Sequence, residues 1–168
     1  PYAHGKTENF TLHARWSANT LNVTFDSKSG SFVTGTTTRT AEPIQSAPAN
    51  PSRAGYMFAG WAESSDPLAA VINFPYAHTQ TENFTLHAKW TANTLNVTFD
   101  SKSGSFVTGT TTRTGEQILS APTAPTRPGY DFLGWFHLED LSDSAITFPH
   151  VHGKTESFTL YALSLIHI

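Results

Sequence analysis

Residues 18–40 read ANTLNVTFDSKSGSFVTGTTTRT, and residues 92–114 repeat those 23 letters without a change. Within the stretch Leu21, Val23 and Phe25 alternate with Asn22, Thr24 and Asp26. That is the period of a strand with one apolar and one wet face. Ser27-Lys28-Ser29-Gly30 is a turn signal, and the β-branched, polar run Thr36 to Thr40 suits a second, more exposed strand. A hairpin is the economical way to join the two.

Working outward, the same spacing of 74 residues relates Trp16 to Trp90, Gly55 to Gly129, Trp61 to Trp135 and Phe74 to Phe148. An unbroken register of this kind makes the repeat, rather than any single motif, the unit of the fold. The stretches after Trp61 and Trp135 differ at most positions until a shared Phe-Pro, which is how a surface loop on a fixed frame varies. A boundary after Trp90 predicts one module over residues 17–90 and a second over 91–162. Residues 1–16 match 75–90 almost letter for letter, and are expected to be the terminal strand of a preceding, truncated repeat. After Ala162 the repeat calls for Lys-Trp-Thr, but the chain reads LSLIHI. Residues 163–168 are therefore expected to be a non-repeat tail, an artefact resembling the in-frame translation of a transposon-type sequencing adapter. The lost Trp should weaken the packing of the last strand.

The remaining strands follow from the same alternation. Ala47 to Gly55 holds two prolines and a glycine and reads as a loop delivering the chain to Tyr56. Tyr56 and Phe58 share one side of a third strand that runs into Gly60 and Trp61, and Phe84, Leu86, Ala88 and Trp90 line one face of the last. The predicted structural core is Phe25, Phe58, Trp61, Phe84, Leu86 and Trp90 in the first module, and Phe99, Phe132, Trp135, Phe158 and Leu160 in the second. Ser65-Asp66-Pro67 before LAAVI is a helix start signal good for a turn or two, and its counterpart at 139–146 lacks the Pro. The predicted class is mostly β, α+β at most: tandem small modules of about four strands with at most one short helix.

Composition narrows the function. Aromatic residues make up 12% of the 168-residue chain and charged residues only 14%, a balance that suits strands. The net charge is −3 with Lys and Arg scattered singly, so no basic stripe offers itself to nucleic acid. Cysteine is absent, which removes disulfides, thiolate zinc sites and thiol catalysis. No apolar run approaches the roughly 20 residues of a membrane span, and PYAHGKTENF lacks the regions of a signal peptide, so any secretion signal is expected elsewhere.

No motif supplies a catalytic or cofactor site. Gly30 and Gly35 enclose four residues as a phosphate loop would, but Thr36 stands where that loop requires Lys. His150 and His152 would share a strand face, yet no third metal ligand is in view, and the first module has Tyr76 and His78 there. The carboxylates Asp26, Glu42, Glu63 and Asp66 are spread along the chain and form no paired-acid or Ser-His-Asp constellation. Asn-x-Thr at 9, 22, 83 and 96 fits the glycosylation pattern but reads as strand-face residues. Trp61 and Trp135 offer a choice between sugar-stacking platforms and core, and in modules this small the core has first claim. The expectation is no catalytic residue, no metal and no cofactor.

In order and spacing, VTFDSKSG, PTRPGYDFLGW, ITFP and FTLYA in the second module resemble the Listeria–Bacteroides repeat, the family that includes the B repeats of internalins. The first module is similar in VTFDSKSG, PSRAGYMFAGW, INFP and FTLHAKW. Two departures stand out: Ser29-Gly30 occupies a place where the family often has paired glycines, and Ala54 replaces the Pro found at 128. The resemblance implies a β-grasp-like sheet in each module and a place in a bacterial cell-surface or secreted protein. It also implies a non-catalytic role as a stalk, spacer or weakly adhesive surface in contact with its neighbouring repeats. The alternative is a specific module for a glycan or a host or cell-surface protein, with residues 62–73 and 136–147 as recognition loops. Nucleic acid and membrane insertion are not expected.

Overall fold

Identical letters fold into identical hairpins. A computed structural model describes residues 5–140 and 142–166. Strands β1 (Thr20–Asp26), β2 (Thr36–Arg39), β3 (Tyr56–Ala62) and β4 (Phe84–Ala92) build one sheet. Strands β5 (Thr94–Asp100), β6 (Thr110–Arg113), β8 (Tyr130–Phe136) and β10 (Phe158–Ile166) build its copy, and β7 (Gln117–Ile118) pairs with β9 (His150–Val151) in a short ribbon. In the first module that ribbon shrinks to a bridge in which Ile44 and Tyr76 exchange two backbone hydrogen bonds of 2.9 Å.

Each large sheet is mixed. The order is β2-β1-β4-β3, repeated as β6-β5-β10-β8, and its two middle strands run parallel while the outer pairings are antiparallel. The predicted alternation sets the inner face: Leu21, Val23 and Phe25 are buried, while Asn22 and Thr24 are exposed. Phe25, Trp61 and Leu86 are buried in the first core, with Phe58, Phe84 and Trp90 half-buried against them. Phe99, Trp135 and Leu160 are buried in the second, with Phe132 and Phe158 against them. Ile44, Tyr76 and Ile118 complete these cores from connections that the Pro-rich composition hides.

The described residues contain no helix. At the start signal of 65–67 the chain makes one turn, with the Ala69 N–H on the Asp66 carbonyl at 3.0 Å, and then extends toward the cis peptide before Pro75. Residues 5–16 form no strand, contrary to the match with 75–90. β4 is held between β1 and β3, whereas residues 5–16 lie outside any sheet and are exposed. Residues 1–4 lie outside the described residues. At the other end β10 runs on through Ile166, with Leu163 opposite Gly134 and Ser164 opposite Phe132, so this part of the non-repeat tail joins the sheet. His167 and Ile168 lie outside the described residues.

Candidate functional site

The segment that differs between modules departs from a buried tryptophan. Trp61 is 1% exposed and Trp135 2%, each ring edge-on to the Phe before the turn (Phe25 and Phe99, both 4.8 Å) and to the Phe on its own strand (Phe58 at 5.3 Å, Phe132 at 5.4 Å). Neither indole presents a face to a sugar. Just before each Trp a bulge skips one residue of the ladder, and Gly60 and Gly134 sit there at φ +136° and +144°. That left-handed region is open to glycine and closed to most side chains. The glycines also leave room for the returning loop: a β-carbon on Gly60 would lie 2.3 Å from Val71, and one on Gly134 would lie 3.2 Å from Ala145. The loop ends are then pinned by Ile72 N–H on the Trp61 carbonyl and Ile146 N–H on the Trp135 carbonyl, both 2.8 Å.

Between those pins the two loops are held differently. In the first module Leu68 projects at 92% exposure and Lys89 donates to the Asp66 carbonyl. In the second, Lys102 reaches Glu139 at 2.6 Å, while Asp143 accepts the backbone N–H of His137 at 2.9 Å. The substitution that matters most chemically lies at the foot of the loop. Tyr76 donates its hydroxyl to Glu63 in the first module. The same two positions in the second are His150 and His137. Burial pushes both imidazoles below the ordinary histidine range, with Lys154 and His152 adding to the effect at His137, Asp143 opposing it there, and His137 and His152 adding at His150.

The other sequence candidates do not converge. His152 is buried beside Thr112 at 3.5 Å and accepts the Lys154 N–H at 2.9 Å, so it faces different partners from His150. Asp26 accepts from the Lys28 N–H and contacts His87 at 3.1 Å, and those hydrogen bonds hold its carboxyl below the usual range; Glu63 is taken up by Tyr76. Among the described residues no three His, Cys, Asp or Glu side chains gather as a metal set. Two aromatics that the alternation passes over are the exposed Phe32 (89%) and Phe106 (88%), between the turn at Gly30 or Gly104 and the next glycine. Their position outside any alternating run was the only sequence signal.

The sequence profile of the Listeria-Bacteroides repeat domain matches residues 22–89 and again residues 96–163, one match on each sheet. The chain belongs to the Listeria–Bacteroides repeat family. Tandem repeats of this family are found in bacterial surface proteins such as internalins. Two Evansella cellulosilytica proteins, both named as membrane proteins and one of them as Gly-rich, are 33% identical over 93% and 82% of this chain. Internalin H of Listeria monocytogenes is 32% identical over 68% of it. These matches cover 23%, 16% and 20% of the relatives, so the chain spans about a fifth of their length. No solved structure matches the chain. Listeria–Bacteroides repeats are typically non-catalytic, and no catalytic family was matched.

Proposed function

We propose that the two modules, taken as 17–90 and 91–162, are a non-catalytic spacer or weakly adhesive stalk of a bacterial cell-surface or secreted protein. The observation that carries this reading is the junction. β4 ends at Ala92 and β5 begins at Thr94, so a single residue, Asn93, separates two copies of one sheet. In serial architectures of this kind each unit touches its neighbours only, and copy number sets the reach. Sheet order supports a β-grasp-like description of each module, with the first and last strands central and parallel. Calorimetry of the intact chain tests the proposal: two transitions are expected, little coupled, and neither moved by added glycans. A single cooperative transition would sink it.

A second reading makes the variable loops 62–73 and 136–147 recognition elements for a glycan or a host protein. It is favoured by their mounting, since fixed backbone pins at Ile72 and Ile146 let side chains change while the frame stays put. Transplanting 136–147 into the first module should carry binding with it; a transplant that leaves every interaction where it was would reject this reading.

A further inference from the structure

At the foot of the variable loop the first module joins a phenol to a carboxylate, and the second sets two imidazoles against each other. Sequence spacing singled out His150 and His152, two apart on one strand, but the fold gives them different partners. His152 is buried, with Nε2 at 3.5 Å from the Thr112 hydroxyl and Nδ1 accepting the Lys154 N–H. It is His137 that meets His150. Their Nε2 atoms are 2.7 Å apart, and the half-buried rings stand 4.8 Å apart between centroids, inclined at 48°.

Both rings are carried by fixed backbone. His137 directly follows β8, and its N–H is held by the Asp143 carboxylate at 2.9 Å. His150 opens β9 and pairs with Ile118 of β7. The loop between them is closed by the Ile146 N–H on the Trp135 carbonyl. Aromatic rings wall the pair, Phe158 at 6.1 Å from His137 and Phe148 at 6.3 Å from His150. Donors mounted in this way keep their separation when a ligand arrives.

That separation selects a metal. With histidine–metal bonds of about 2.0–2.1 Å, ligands at right angles lie about 2.9 Å apart, and ligands at the tetrahedral angle of zinc about 3.3–3.4 Å. A contact of 2.7 Å therefore opens by only about 0.2 Å to serve adjacent corners of a square-planar or tetragonal ion, the geometry of divalent copper and nickel. Copper also binds nitrogen donors most tightly in the divalent series. We propose that His137 and His150 are adjacent ligands of a tetragonal divalent ion, copper above nickel, with water in the remaining positions. The ion takes the place of the shared proton. The ring that donates through Nε2 moves that proton to its Nδ1, both Nε2 lone pairs go to the metal, and two neutral rings release no proton. Two protein donors make an open site rather than a closed cage. His137 Nδ1 is buried without a hydrogen-bond partner, so the outer support that tightens dedicated metal centres is missing on that side, and a modest affinity is expected.

Copper(II) sulfate titrated into the intact chain at about pH 7.5, where the ligating nitrogens are free of protons, tests the site by calorimetry and EPR. The control is the double change His137→Glu, His150→Tyr, which installs the pair that the first module already folds around and leaves every other histidine in place. The unaltered chain should take up one equivalent of copper more than this variant, and the EPR signal of that equivalent should carry two equatorial imidazole nitrogens. His150→Tyr alone should weaken it at least about 10-fold, since losing a ligand costs no less than losing a supporting partner. Zinc chloride should bind the same site more weakly. Equal copper uptake by the unaltered chain and the double variant, or a single imidazole nitrogen in the signal of the extra equivalent, overturns the proposal. Zinc that binds as tightly as copper overturns the tetragonal assignment.

Discussion

His137 and His150 bring their Nε2 atoms to 2.7 Å of one another, at the two positions where the first module joins Glu63 to Tyr76. At that distance one imidazole donates and the other accepts, so the contact requires at least one neutral ring. Burial depresses both pKa values from 6.5. The unfolded chain therefore binds more protons, and the stabilisation present above about pH 6.5 is lost as pH falls toward the folded values. The second module is expected to melt progressively lower between pH 7 and 5, while the first, whose Tyr76 is pushed upward from 10 by burial and by Glu63, holds its midpoint in that window. Calorimetry at stepped pH checks this. The double change His137→Glu, His150→Tyr should abolish the acid response, and its survival would assign the response elsewhere.

Gly60 and Gly134 make a matched pair of tests. Both sit at φ values that resist a side chain, but only Gly60 has a branched side chain, that of Val71, 2.3 Å from its β-carbon position. Alanine at 134 should cost about 1–3 kcal/mol, the range for a strained backbone position. Alanine at 60 should cost more, through backbone shift and loss of the loop pin. Urea melts of the two single variants give the comparison; equal losses would show that Val71 moves aside freely.

Trp61 and Trp135 bury their rings but leave the indole N–H without a partner. Truncation to Ala should cost about 3–5 kcal/mol and unfold the module concerned. Trp→Phe should cost well under half of that, because it removes a buried unsatisfied donor along with some volume. A folded Trp135→Ala module that had lost glycan binding instead would restore the sugar-platform reading.

The turns after β1 and β5 place non-glycine residues in the left-handed region: Lys28 and Ser29 at φ 50° and 69°, Lys102 and Ser103 at 49° and 71°. Positive φ at both central positions is the type I′ hairpin geometry, favoured by Asn, Asp and Gly. Ser29→Gly should raise the first module's midpoint by about 4–8 °C, corresponding to about 1 kcal/mol of relieved strain in a domain of this size. Ser103→Gly should do the same for the second. No change in either midpoint would mean that the Lys28 N–H bond to Asp26, 2.9 Å, already offsets the strain.

What could be read from the letters was the part governed by period. Leu21, Val23, Phe25 and Leu86 alternate with polar residues, and alternation alone fixes which face is buried. The burial of Trp61 was likewise expected, since a module this small needs its aromatics in the core, but the bulge at Gly60 that turns it inward breaks the period and was not. Ile44 and Tyr76 were hidden, because each is a lone apolar residue beside Pro and their bridge depends on two distant connections meeting. The His137–His150 contact was hidden for the same reason: the two lie 13 positions apart across a loop, and only its pinned return at Ile146 brings the tilted rings together.

The parallel pairing of β1 with β4 decides how a tug on the array would be carried. Tension enters a module at Thr20 and leaves at Ala92, the opposite ends of two strands joined side by side from Val23–Phe84 to Asp26–His87. Pulled this way the neighbours slide past each other, and the bonds between them are sheared together rather than unzipped in turn. With only Asn93 before the next strand, there is no slack to absorb the load before it reaches β5.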